Sequence, residues 1–92
     1  MLHIINKATP DASLEQCRTL IDPQQDAVLL MADGVLSALA SYAYWPQSLA
    51  VFALSRDIEA RAINAYLAPH IQIIDDAGFV ALTEQHAQSI SW

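Results

Sequence analysis

Blocks of apolar residues along the chain are separated by polar and turn-forming segments, and the spacing predicts strands alternating with helices. The run at 2–5, "LHII", predicts a first strand before the turn-like "NKATP". Residues 13–21 predict a short helix. Ser13 and Gln16 have the S-x-x-Q spacing of a capping box, and Pro23 stops it. Thr9-Pro10 offers an earlier start. The unbroken apolar run at 27–32, "AVLLMA", predicts a strand buried on both faces. Asp33-Gly34 then turns the chain into a helix whose apolar stripe is Val35, Leu39, Tyr42 and Ala43, broken by "YWPQS". Residues 49–54, "LAVFAL", predict a third strand.

Ser55 is placed to cap the next helix, with Asp57 and Glu59 in its first turn, where the helix dipole favours them. Ile58, Ala62, Ala65 and Tyr66 line one face of that helix, Asp57 and Arg61 have i,i+4 ion-pair spacing, and Pro69 ends it. "IQII" at 71–74 predicts a fourth strand. Residues 76–87 predict a helix through Phe79, Leu82, Thr83 and His86, and the final "SISW" a short fifth strand. Strands separated by helices of this length build βαβ units. The expected architecture is one α/β domain over residues 1–92, a three-layer sandwich with a mostly parallel sheet of four to five strands covered on both sides. The runs at 27–32 and 49–54 are expected to be central and fully buried.

Composition narrows the function classes. The 92 residues carry four Lys and Arg against ten Asp and Glu, a formal net charge of −6, which argues against a direct grip on nucleic acid. No apolar run approaches the roughly 20 residues needed to cross a bilayer, and the opening segment lacks a signal-peptide pattern. A soluble, cytoplasmic protein is expected, and one cysteine allows no internal disulfide. Because 54% of the residues are hydrophobic and only 15% charged, part of the surface is expected to be apolar, so the isolated chain should self-associate or bind a protein partner.

Few motifs for chemistry are present. There is no G-x-G-x-x-G and no phosphate-cradling loop, and His3, His70 and His86 have no partner at ligand spacing, so neither cofactor nor metal is expected. Asp33 sits where open α/β sheets place ligands, but a D-G strand-to-helix turn favours the plainer reading, a helix N-cap. Asp75 and Asp76 read as helix-start residues. Trp45, Trp92 and Tyr42 are interface candidates. Each tryptophan could equally pack at the domain edge or anchor a partner. Cys17 lies near Leu14, Leu20 and Ile21 on the apolar arc of its helix, which favours burial. It also lies at the limit of where the helix dipole lowers a thiol pKa, which leaves reactivity open.

The opening "MLHIINKATP", then "SLEQC", "LLMADGVLSAL", "VFALSRDIEARAI", "IQIIDDAGFVALTEQH" and "SISW", run in an order and spacing that resemble the TusB/DsrH family of sulfur-relay proteins along essentially the whole chain. The resemblance implies a DsrE-like sandwich. It implies a heterohexamer, two copies each of three related subunits, with TusC/DsrF-like and TusD/DsrE-like companions. It also implies a downstream TusE/DsrC-like carrier. Such a complex passes persulfide sulfur towards the 2-thio group of wobble uridine in tRNA, or serves oxidation of stored sulfur in the Dsr form. The main sulfur-accepting cysteine belongs to the TusD/DsrE-like subunit. Cys17 of "SLEQC" matches a cysteine often carried by the DsrH branch and so is a candidate persulfide site. The competing expectation is an accessory, scaffolding subunit. Two departures stand out. Asp75-Asp76 replaces a frequent "DY", and "ARA" replaces a frequent "ARG", so the helix is expected to run on past Ala62.

Overall fold

Short apolar runs bounded by turns become strands. Among the described residues, 1–8 and 11–92 of a computed structural model, these are β1 (Leu2–Ile5), β2 (Ala27–Leu30), β3 (Ala50–Leu54), β4 (Gln72–Ile74) and β5 (Ser89–Ser91). The earlier helix start at Thr9-Pro10 lies outside them. The strands form one sheet in the order β4-β3-β2-β1-β5, with every neighbouring pair parallel. The helices are α1 (Ala12–Leu20), α2 (Ser55–Ala60) and α3 (Asp76–Gln85).

This strand order decides which face each connection covers. The chain steps in one direction from β1 to β4, then returns across the sheet to place β5 beside β1. Parallel crossovers are right-handed, so the three outward steps put their connections on one face and the return step puts α3 on the other. The cores follow. On the first face Ile5, Val28, Leu30, Val51 and Ala53 pack with Leu14 and Cys17 of α1, Val35 and Ala38, Trp45, and Ile58 of α2. On the second, Leu2, Ala27 and Leu29 meet Leu82 of α3, with Ile4, Phe52, Ile74 and Phe79 half-buried. A parallel sheet with helices on both faces is the α/β sandwich the pattern predicts.

Local structure departs from the sequence pattern at several points. β2 is fully buried, but in β3 Ala50 is exposed and Phe52 half-buried, both on the face that α3 alone covers. The helix expected around Val35–Ala43 is instead two 3₁₀ segments, Ala32–Ala38 and Ala40–Tyr42. Gly34 explains the first. A Cβ there would lie 2.1 Å from the Ile5 carbonyl oxygen, so the segment is pressed onto the end of β1. Three residues per turn aligns Val35 with Ala38 and Gly34 with Ser37, and all four are buried. Leu39 is extended and pairs with Leu67, interrupting the helix.

Helix ends also shift. Asp11, not Ser13, caps α1, its carboxylate accepting from the Ser13 amide at 2.8 Å. Ser55 is the first residue of α2 rather than its cap, and makes no capping hydrogen bond. α2 stops at Ala60, and Ala62 takes φ 53°, so the helix does not run on. Asp75 does cap α3, accepting from the Gly78 amide at 2.8 Å.

Candidate functional site

The sole cysteine sits on the inner face of α1. Cys17 is the sixth residue of that helix, past the first turn where the dipole acts on a thiol. Its side chain is 0% exposed, in the first-face core with Leu14, Val28 and Trp45. Burial, and secondarily the nearby charge of Asp26, push its pKa up to about 11. At neutral pH the group is a thiol, with thiolate on the order of one part in ten thousand.

Beside it an aromatic cluster walls a cleft of about 260 Å³, lined in part by Arg18, Ile21, Tyr44, Trp45 and Leu49. Trp45 is only 4% exposed. Its indole N–H donates to the Ser37 hydroxyl at 2.9 Å, and that hydroxyl donates to the Gly34 carbonyl at 2.7 Å. Trp45 packs within the domain, with its polar handle satisfied inside the core. Tyr44 meets its edge with ring centroids 4.9 Å apart. The Arg18 guanidinium lies 4.2 Å over the Tyr44 ring, and the Tyr44 hydroxyl donates to Glu15 at 2.9 Å. Burial and the bond to Glu15 raise the Tyr44 pKa. Cys17 faces the sheet side of this cluster and does not line the cleft.

A second network joins three strands. His3, buried on β1, places Nε2 2.9 Å from a carboxylate oxygen of Asp26, the residue before β2. Its Nδ1 accepts from the indole N–H of Trp92, after β5, at 3.1 Å, and the rings stack. Since Nδ1 accepts, Nε2 carries the proton and donates to Asp26. Burial works to raise the Asp26 pKa. Hydrogen bonds from His3, the Asp22 amide and the Met1 amine outweigh it and hold the carboxyl at about 2. Sequence reasoning found no partner for His3 at ligand spacing and missed Asp26 and Trp92. The available signal was an acid placed directly before a buried strand.

The remaining candidates are dispersed. Tyr42 is 53% exposed and does not line the cleft, whereas Trp92 is half-buried at the edge of the first-face core. Asp33 lies inside the first 3₁₀ segment, whose N-cap position is Met31. It accepts from Arg61 at 2.8 Å, while Arg61 also bonds the Asp57 carbonyl at 3.1 Å and lies 3.9 Å from the Asp57 carboxylate. Asp57 in turn accepts from the Ala32 amide at 2.8 Å. These contacts brace the left-handed turn at Ala32, φ 49°, against α2. The two ring nitrogens of His70 are buried without a hydrogen-bond partner among the described residues. Among the same residues, no group of three or more His, Cys, Asp or Glu is placed to hold a metal, and no helix is long and apolar enough to cross a membrane.

Comparison with known proteins bears on the whole chain. The solution NMR structure of protein Tm0979 from Thermotoga maritima superposes with a TM-score of 0.69 at 20% identity, covering 96% of this chain and 97% of that one, a likeness of fold. Protein TusB of Pectobacterium parmentieri is 30% identical and that of Serratia proteamaculans 32%, each aligned along the whole of both chains. Protein TusB of Photorhabdus laumondii is 35% identical over 73% of this chain and 75% of that one. The family model described as DsrH like protein matches residues 8–89. A family-model match that runs from before α1 to the start of β5, with relatives aligned end to end, places the chain in the TusB/DsrH family.

Proposed function

We propose that this chain is the accessory subunit of a TusBCD/DsrEFH-like sulfur-relay complex that passes persulfide sulfur towards 2-thiolation of wobble uridine in tRNA. In each relay step an acceptor thiolate attacks the outer sulfur of a donor persulfide. A new S–S bond forms, and the donor sulfur leaves as a thiolate. That step needs an exposed thiol with a lowered pKa. The observation that carries the accessory reading is Cys17, the chain's one cysteine, fully buried and with its pKa raised to about 11. The chain contributes shape and a docking surface to TusC/DsrF-like and TusD/DsrE-like companions in a heterohexamer, and the companions carry the transfer. Its net charge of −6 steers basic partner surfaces and leaves contact with tRNA to other proteins. The proposed compartment is the cytoplasm.

Intact-mass spectrometry of the native protein after treatment with a persulfide donor tests this. The expected result is no adduct on the native chain, slow alkylation of Cys17 until denaturation, and near-normal sulfur transfer by a complex carrying Cys17→Ala. That substitution costs about 1 kcal/mol of stability through a small cavity. A one-sulfur adduct on native protein that disappears in Cys17→Ala, with slowed transfer, would establish direct carriage through Cys17 instead.

A further inference from the structure

The second face of the sheet is half covered. Five strands at about 4.8 Å spacing make a face roughly 20 Å wide, and a helix with its side chains is about 10 Å across. Among the described residues only α3 lies on this face, because it is the single return crossover. Beside it the apolar side chains of Ile4, Phe52 and Ile74 remain half-buried and Ala50 is exposed. A furrow of about 230 Å³ runs along α3, with Phe52 and Ile74 on one wall and Ala81 and Leu82 on the other. The outward side of α3 is apolar as well. Ala77 and Val80 are exposed there, Val80 by 55%. A helix with apolar residues on both sides calls for cover on both.

Charge selects the occupant. Asp75, Asp76 and Glu84 are exposed along α3. Of the four cations in the chain, Arg18 and Arg61 belong to the first face, and Lys7 reaches Ser13 at the start of α1. Arg56 alone approaches α3, held by Asp76 at 3.6 Å. A second copy would bring the same acids and a further −6 to this face. We propose that the furrow and outer side of α3 are the docking surface for a different protein, one presenting an apolar segment rimmed by Lys and Arg. This deepens the relay-subunit reading, on which it rests, by giving the face a companion subunit uses.

The test is the affinity of purified chain for co-purified TusC-like and TusD-like companions, with circular dichroism to check folding. Val80→Lys and Glu84→Lys alter exposed positions, so both are expected to fold. Each is expected to weaken binding by about tenfold or more, as central and charge-paired interface positions do. Leu20→Lys, at an even more exposed apolar position on α1, is expected to change binding by less than about twofold. Wild-type binding should also weaken as salt rises, and less steeply for Glu84→Lys. Companions that bind both α3 variants normally would overturn the face while leaving the relay reading intact. Companions that do not bind the wild-type chain would overturn both. A homodimer of the isolated chain abolished by Val80→Lys, with companion binding unchanged, would overturn the choice of occupant.

Discussion

Ala62 shows how a single backbone angle can contradict a helical pattern. Its φ of 53° lies in the left-handed region, where a Cβ crowds the following carbonyl at a cost of about 1–2 kcal/mol. The stripe of Ile58, Ala62, Ala65 and Tyr66 reads as continuous because periodicity records only which side chains are apolar. The Ala62 amide donates to Glu59 and the Ile63 amide returns to Ile58, which closes α2 two residues before Ala62. Glycine adopts this angle without strain, and the gain is offset in part by greater freedom of the unfolded chain. Ala62→Gly should therefore stabilise by about 0.5–1 kcal/mol, raising Tm by about 4 °C. Thermal melts by circular dichroism check this, and an unchanged or lower Tm would show that the turn carries no relievable strain.

β1, β2 and β5 are joined by more than their backbone ladder. His3 on β1 links the carboxylate before β2 to the indole after β5. The carboxyl of Asp26 has a lower pKa folded, about 2, than its ordinary 3.8. Its contribution to stability is thus complete above 3.8 and is lost as pH falls through about 2. Asp26→Asn should be less stable than wild type at neutral pH. The gap in Tm should narrow below pH 3.8 and close near pH 2, a trend that melts across pH 2–7 would reveal. A constant gap would mean that the Asp26 charge does not differ in its interactions between folded and unfolded chains.

The sheet was legible in the sequence because the inner strands of a parallel sheet are unbroken apolar runs, as "AVLLMA" and "LAVFAL" are, although the second proved only partly covered on one face. The parallel class followed from the helical segments between them. The 3₁₀ segments were not legible, since they depend on Gly34 meeting the Ile5 carbonyl and on Leu39 pairing with Leu67, contacts between residues distant in sequence. Of the site, the burial of Cys17 could be read from its helical arc, whereas Arg18 over Tyr44 and the partners of His3 could not. Each of these joins elements whose juxtaposition the local pattern does not encode.

The position of β5 beside β1 has a consequence for the order in which the molecule assembles. Leu2 pairs with Ser89, so one ladder joins almost the two extremes of the chain, whereas β1 with β2 and β2 with β3 join segments about 25 residues apart. Closing a longer loop costs more chain entropy, and distant pairings form slowly. β1 therefore waits with one edge open until nearly everything else is in place. In pulse-labelled hydrogen exchange during refolding, the Met31 amide, bonded to Ile5, should gain protection first. The Leu2 amide, bonded to Gln88, and the Trp92 amide, bonded to Ile4, should follow in a later phase. Simultaneous protection of all three would mean that the sheet forms in one cooperative step. Otherwise β5 acts as the latch of β1, and β1 presents a free edge to neighbouring chains throughout the interval.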